Sequence, residues 1–225
     1  WASFSSPDFN FIRPLKEVGY LTDSYYWQEE TWALLLDQLL KANPAAIGVS
    51  FYFGENISKL SENPFRKHIF QDSHIIWGAQ LDSESRVLLP RFSTSRGSNT
   101  GLVYLPTDSD GILRRLPRTS ASLSEFGRKL VQAGGQKSSG ILKSRPINFQ
   151  GPPGSFKTLQ IEKLLKGQFR QGEIEGKFII IGSKDSPGHL FPTPVGPIRI
   201  TEPGRAGCLF VNCATVALAT RSSAG

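Results

Sequence analysis

The chain has 225 residues, of which 39% are hydrophobic and 20% charged, so it has enough apolar surface for one large α/β domain or two small ones and is not intrinsically disordered. Its net charge of +7 is uneven, because residues 1–80 carry 6 basic and 9 acidic side chains and residues 81–225 carry 20 and 10. No run of five like charges and no aromatic-basic RNA motif occurs, which argues against a nucleic-acid partner. The basic part of the chain could instead be a solvated surface, or it could bind an anionic membrane surface or an acidic ligand.

The first clear element in chain order is a helix followed by a buried strand. Residues 1–30 are aromatic-rich and predicted to be irregular. The i, i+3, i+4, i+7, i+8 spacing of Trp32, Leu35, Leu36, Leu39 and Leu40 then predicts an amphipathic helix. Asn43-Pro44 is expected to end it, and the apolar run 47–53 predicts a strand covered on both faces.

The middle of the chain alternates strand and helix signals. Segments 74–80 and 101–105 are predicted strands, and 101–105 is expected to form a hairpin with the extended stretch 112–117 across the turn 108–111. Ser122-Leu-Ser-Glu125 has the pattern of a capping box, which predicts a helix that Gly134-Gly135 ends.

The last third continues this alternation. We expect a strand at 147–150, a helix from Thr158 to Gly167, a strand at 178–182, a Pro-rich loop at 183–204, and a strand at 208–210 leading into a helix from about Val211. The whole pattern predicts an α/β fold: one domain with a mixed, mainly parallel sheet flanked by helices. The predicted organisation is an irregular segment 1–30, a domain 31–220 and a tail 221–225.

The turn after the predicted strand 101–105 is the first candidate ligand-binding site. It carries Asp108 and Asp110, and Arg114 and Arg115 follow two to four residues into the returning strand. One arginine could bind an anionic ligand or an aspartate in a bidentate manner. The alternative is a purely structural turn, in which the aspartates bond to the backbone and Gly111 supplies a positive φ. A calcium loop is disfavoured, because Thr119 stands at the twelfth position, where a glutamate is needed.

The Pro-rich loop is the second candidate site. It follows the carboxyl end of a strand that we expect to be central, which is where ligands bind in open α/β sheets. Its polar side chains are Ser183, Lys184, Asp185, His189 and Thr193. The alternative is a proline-stiffened loop that covers the edge of the sheet.

Signals for enzymatic chemistry are weak, and we expect no catalytic residues, no metal and no cofactor. The segment Gly151–Thr158 looks like a phosphate loop, but Phe156 replaces a required glycine and two prolines remove N–H donors. His68 and His74 lack metal-ligand spacing, and no G-x-S-x-G motif is present. Cys208 and Cys213 are expected to be small buried residues rather than a disulfide.

Four sequence blocks, in order, resemble the type-two CHASE domain, the cyclase/histidine-kinase-associated sensory extracellular family. They are LLLDQLLKANPAAIGVSFYF (34–53), GLVYLPTDSDGILRR (101–115), INFQGPPGSFKTLQIEKLLKG (147–167) and the segment 177–214. The chain departs from the family pattern at Val49-Ser50, where an acidic residue is usual after Ile-Gly. It departs again near His189, where an aspartate is usual.

The resemblance implies a sensory domain outside the cytoplasmic membrane of a bacterium, held between transmembrane helices of an inner-membrane receptor. It implies an intracellular output domain such as a nucleotide cyclase, a histidine or serine/threonine kinase or a diguanylate cyclase. Because the chain contains no methionine and no apolar run long enough to span a bilayer, we expect a fragment of such a receptor. The partners implied are an unknown small molecule or physical stimulus, the adjacent transmembrane helices and a second copy in a homodimer.

Two other functions remain open from the sequence. One is a periplasmic ligand-binding or dimerisation module that does not signal. The other is a hydrolase that would depend on Asp108, Asp110 or His189.

Overall fold

The structure, a computed structural model, describes the central part of the chain in several stretches. The described residues are 12–14, 25–27, 29–50, 52–53, 64–82, 84–90, 93, 98–103, 107–116, 124–136, 145–147, 149, 159, 161–181, 190–194 and 198–199. The helices in these stretches are α1 (Glu29–Lys41), α2 (Pro64–Phe70), α3 (Phe126–Ala133) and α4 (Ile161–Leu165). The strands are β1 (Ile12–Pro14), β2 (Tyr25–Trp27), β3 (Ala46–Val49), β4 (Ile75–Leu81), β5 (Val87–Leu88), β6 (Thr100–Leu102), β7 (Arg115–Leu116), β8 (Arg145–Pro146), β9 (Phe178–Ile181), β10 (Leu190–Phe191) and β11 (Ile198–Arg199).

In the described part of the chain, a mixed sheet of five strands forms the centre of the fold. β3 pairs in parallel with β4 on one side and with β9 on the other, and β6 pairs in parallel with β4. β5 runs antiparallel to the end of β4. This arrangement confirms the predicted α/β class with a mainly parallel sheet flanked by helices.

One face of the sheet packs against α1, α2 and α4. The apolar stripe predicted for α1 is confirmed, because Leu35, Leu36 and Leu39 are fully buried against this face. Trp77 of β4 is also fully buried, and its indole N–H donates to the Phe70 carbonyl over 2.9 Å. α1 ends where predicted: Asn43 takes a positive φ of 55°, and its carbonyl accepts a hydrogen bond from the Gly176 N–H.

The opposite face is covered by α3, which lies very close to the strands. A Cβ at Gly101 of β6 would lie 2.4 Å from the Cα of Phe126, and one at Gly48 of β3 would lie 2.7 Å from the Phe126 ring. Glycine at these two positions therefore sets the distance between helix and sheet.

The predicted hairpin between 101–105 and 112–117 is wrong. β6 joins β4 in the parallel sheet, and β7 pairs antiparallel with β8, a remote segment. The Asp-rich turn is a local signal that closes its own loop. β7, which follows the turn, pairs with β8, and Leu113 packs against Ile147 beside this pair. A contact between residues so far apart in sequence cannot be predicted from a local pattern.

Other boundaries also differ from the predictions. Glu125 is the N-cap of α3, so the helix begins at Phe126, and Ser122 of the predicted capping box lies outside the described residues. β8 lies just before the predicted strand 147–150, and the segments predicted as irregular contain the β1–β2 and β10–β11 pairs. β9, predicted to be central, pairs only with β3 among the described strands. α4 lies within the predicted helix from Thr158 to Gly167, whose cap Thr158 is outside the described residues, as are the predicted elements beyond residue 200.

Candidate functional site

The turn at 107–116 is closed by its own backbone and by one aspartate. The Asp108 N–H donates to the Ile112 carbonyl over 2.9 Å, and the Gly111 N–H donates to the Asp108 carbonyl over 2.9 Å. The Asp110 carboxylate accepts from the Ile112 N–H at 3.0 Å, and Gly111 has a φ of 76°. These bonds make up the side-chain-to-backbone turn that the Asp-x-Asp-Gly sequence favours.

Arg114 binds both aspartates of the turn. Its Nη1 and Nη2 atoms donate to the two Asp110 carboxylate oxygens at 2.9 and 2.8 Å, and Nη1 also donates to Asp108 Oδ2 at 3.0 Å. This is the bidentate geometry that the arginine fork matches best. Of the two arginines, Arg114 is therefore the one that pairs closely with the aspartates of the turn.

Arg115 is held much more loosely. The Arg115 Nε atom lies 3.9 Å from Asp108 Oδ1, and 54% of its side chain is exposed, against 38% for Arg114. Of the two arginines, Arg115 therefore presents the more accessible positive charge.

The ion pairs shift the pKa values of the groups that form them. The side-chain hydrogen bond from Arg114 is the largest cause that lowers the pKa of Asp110, and the bond from the Ile112 N–H adds to it. The bonds to Asp110 and Asp108 raise the pKa of Arg114. The pair is thus ionised at neutral pH.

The turn is anchored to two distant segments of the chain. Leu113 is fully buried, and its N–H donates to the Pro192 carbonyl over 2.9 Å. The Ile147 N–H donates to the Arg114 carbonyl over 2.8 Å, which continues the β7–β8 ladder. A small apolar cluster of Leu113, Ile147, Leu116 and Phe149 fills the space between them. We call this assembly of turn, β8 and Pro192–Pro194 the turn cluster.

The turn cluster joins the two candidate sites in part. Thr193, from the predicted Pro-rich loop, is buried next to Pro192 and so lies beside the turn that carries Arg114. Ser183, Lys184, Asp185 and His189 lie outside the described residues, as does the phosphate-loop-like segment Gly151–Thr158. The structure thus brings one loop residue to the Asp-Arg turn.

A polar contact that the sequence reasoning did not single out lies at the carboxyl ends of two parallel strands. The Ser50 side chain is buried, and its Oγ donates to the Ile181 carbonyl over 2.9 Å; the Ser50 N–H donates to the same oxygen over 3.0 Å. In the sequence, this contact could have been sought from the position of a polar residue directly after an apolar, buried strand.

Metal and membrane signals are absent from the residues that the structure describes. No group of three His, Cys, Asp or Glu side chains within them could hold a metal ion. His74 is exposed and lies 3.0 Å from Asp72. Within the same part of the chain, none of the helices has the length and apolar character that a membrane crossing requires.

Comparison with known proteins identifies the family. The family model described as "CHASE2 domain" matches residues 13–208. No curated protein and no solved structure matches the chain. CHASE2 domains are extracellular sensory domains of signalling receptors, generally extracytoplasmic, and are sensory rather than catalytic. Because the match covers well over half of the residues, the chain belongs to the CHASE2 domain family.

Proposed function

We propose that this chain is the extracytoplasmic sensor of a bacterial inner-membrane receptor. In this proposal it relays a conformational change through adjacent transmembrane helices to a cytoplasmic cyclase, kinase or diguanylate cyclase. The observation that carries the proposal is the CHASE2 match over residues 13–208.

The turn cluster is the proposed place where a ligand acts. A ligand shifts an equilibrium only by binding one state better than another, so it must contact an element that can change partners. The turn cluster joins three remote segments, for example through the hydrogen bonds from Leu113 to Pro192 and from Ile147 to Arg114. A ligand bound here could favour the joined or the separated arrangement of these segments.

An anionic small molecule is the proposed ligand class. Arg115 is more than half exposed and only loosely paired, and residues 81–225 carry 20 basic against 10 acidic side chains. Arg114 already binds two carboxylates, so it would support the turn rather than contact the ligand. Asp108, Asp110, Thr193 and the loop residues Ser183, Lys184, Asp185 and His189 complete the proposed site.

A thermal-shift screen with small inorganic and organic anions tests the site. A ligand that binds the folded state raises the melting temperature by mass action. We expect Arg115→Gln to abolish the anion-dependent rise while leaving the unliganded melting temperature nearly unchanged. Arg114→Gln, the matched control, should lower the unliganded melting temperature. Equal anion-dependent rises in wild type and Arg115→Gln would contradict the proposed site.

The parent reading frame tests the receptor proposal separately. We expect apolar runs of about 20 residues on both sides of this region and a signalling domain beyond one of them. Polar flanks, or the lack of an output domain, would favour a ligand-binding or dimerisation module without signalling. The homodimer stays a prediction that light scattering of the purified chain would decide.

A further inference from the structure

The two aspartates of the turn have different tasks. The Asp110 carboxylate accepts from the Ile112 N–H at 3.0 Å, and it binds Arg114 through both of its oxygens at 2.9 and 2.8 Å. Asp108 helps to close the turn through its backbone, since its N–H donates to the Ile112 carbonyl and its carbonyl accepts from the Gly111 N–H. The turn can therefore stay closed when the Asp108 side chain is changed.

The Asp108 carboxylate lies between two guanidinium groups. Its Oδ2 atom accepts a hydrogen bond from Arg114 Nη1 at 3.0 Å, and its Oδ1 atom lies 3.9 Å from Arg115 Nε. A separation of 3.9 Å is too long for a hydrogen bond, so the second contact is an ion pair alone. The carboxylate is thus held firmly by Arg114 and loosely by Arg115.

Both members of the loose pair are open to solvent. The side chain of Arg115 is 54% exposed and that of Asp108 is 33% exposed. An ion pair with this exposure stabilises a protein little, because water and salt screen its charges. Another anion can therefore replace Asp108 at Arg115 with little loss of stability.

We propose that Asp108 is an internal competitor of the ligand: its carboxylate faces the side of Arg115 that binds an oxyanion, and ligand binding displaces it from there. This inference rests on the proposed anion site at Arg115 and adds the regulation of that site. The ligand group that fits is a carboxylate or another oxyanion, because such a group repeats the chemistry of the side chain that it displaces.

Arg114 keeps its partners during this exchange. Asp110 binds it with two hydrogen bonds, and Asp108 Oδ2 can stay bound to it while Oδ1 moves away from Arg115. An internal carboxylate also acts at a high effective concentration, because the chain holds it near its target. The competitor therefore sets a threshold: the site responds only when the concentration of an external oxyanion is high enough to displace Asp108.

Anion titrations of uncharged variants test the competitor. Asp108→Asn keeps the shape of the side chain and removes its charge. Like charges a few ångströms apart repel each other even in water, so we expect this variant to bind oxyanions about three- to tenfold more tightly than the wild type. Thermal shift at constant ionic strength, with acetate or inorganic phosphate replacing chloride, measures the affinities and separates a carboxylate from a phosphate ligand. Asp108→Ser is a second uncharged variant with the same expected gain.

Two further variants show where the gain comes from. Asp37→Asn on α1 removes one negative charge from another surface ion pair, that of Asp37 with Lys41, and so changes the net charge of the chain by the same amount. We expect it to leave the anion affinity nearly unchanged. In the double variant Asp108→Asn/Arg115→Gln the gain should vanish, because the cation that binds the anion is lost.

Equal affinities of the wild type and both uncharged variants, all of them lost on Arg115→Gln, would overturn the competitor and leave the proposed anion site standing. A gain that persists in the double variant would also overturn it, because the anion would then bind elsewhere. If neither the wild type nor Asp108→Asn binds either anion, the site and the inference fail together. Unliganded melting temperatures close to that of the wild type show that the variants at Asp108 are folded.

Discussion

At the scale of single residues, the chemistry of the Asp-x-Asp-Gly turn could be predicted, but the role of each arginine could not. Asp110 and Gly111 form the predicted turn, the first through its carboxylate and the second through its positive φ. The sequence left both Arg114 and Arg115 as candidates for an aspartate or a ligand. Which arginine binds the aspartates depends on the position of β8. Arg115 lies in the β7–β8 ladder, whereas Arg114 lies just before it and binds Asp110.

The Asp110–Arg114 pair predicts a specific pH dependence. Because the pKa of Asp110 is lowered from 3.8 in the folded state, its carboxylate stabilises the fold above that pH, and the contribution is lost as the pH falls through the folded pKa. We expect Asp110→Asn to lower the melting temperature by a few degrees at most at pH 7, since the pair is exposed. The wild type and the variant should therefore converge only as the pH falls through this lowered pKa, below 3.8.

Melting curves of both proteins from pH 7 to pH 2.5 check this. Arg114→Gln is the control, because it removes the same pair from the other side and should produce a similar pH-dependent difference. A difference between wild type and Asp110→Asn that stays constant through the acid range would contradict the account.

Gly101 carries the sharpest steric prediction. A Cβ at this position would lie 2.4 Å from the Phe126 backbone, so α3 or β6 must shift. We expect Gly101→Ala to lower the free energy of unfolding by about 3 kcal/mol in urea titrations. Gly172→Ala is the matched control, since an added Cβ there meets no atom within 4 Å. Similar losses for both variants would mean that close packing is not the cause.

At the scale of elements, periodic segments were predictable and their partners were not. α1 follows from the spacing of its leucines, because one apolar stripe must meet a core whatever that core is. The predicted start of α3 was wrong by a few residues because Ser124, just before the helix, is hydrogen-bonded to the sheet: the Leu102 N–H donates to the Ser124 carbonyl. Such contacts join segments far apart in sequence and leave no local pattern.

Two neighbouring leucines of α1 test how its face is used. Leu36 is fully buried, whereas Leu34 is 47% exposed. We expect Leu36→Ala to lower the free energy of unfolding by about 2–5 kcal/mol, because it leaves a cavity in the core. Leu34→Ala should cost less than about 0.5 kcal/mol. Chemical denaturation of the two variants measures both values. Comparable losses of unfolding free energy would contradict the assignment of Leu36, and not Leu34, to the buried face of α1.

At the scale of the whole molecule, the order of strands and helices was enough to predict a mainly parallel α/β sheet. The same order of blocks was enough to suggest the CHASE2 family, which the match over residues 13–208 shows. The position of β9 was less predictable, because its apolar sequence predicts a central strand while the described sheet places it beside β3 alone.

The central claim is that this domain stands outside the cytoplasmic membrane, and thiol labelling of the parent receptor in cells tests it most directly. Leu34→Cys, in a background with Cys208 and Cys213 changed to serine, places one exposed thiol on α1. We predict that a membrane-impermeant thiol reagent labels it in intact spheroplasts as fully as after lysis. Labelling only after lysis would put the domain inside the cell and contradict the account.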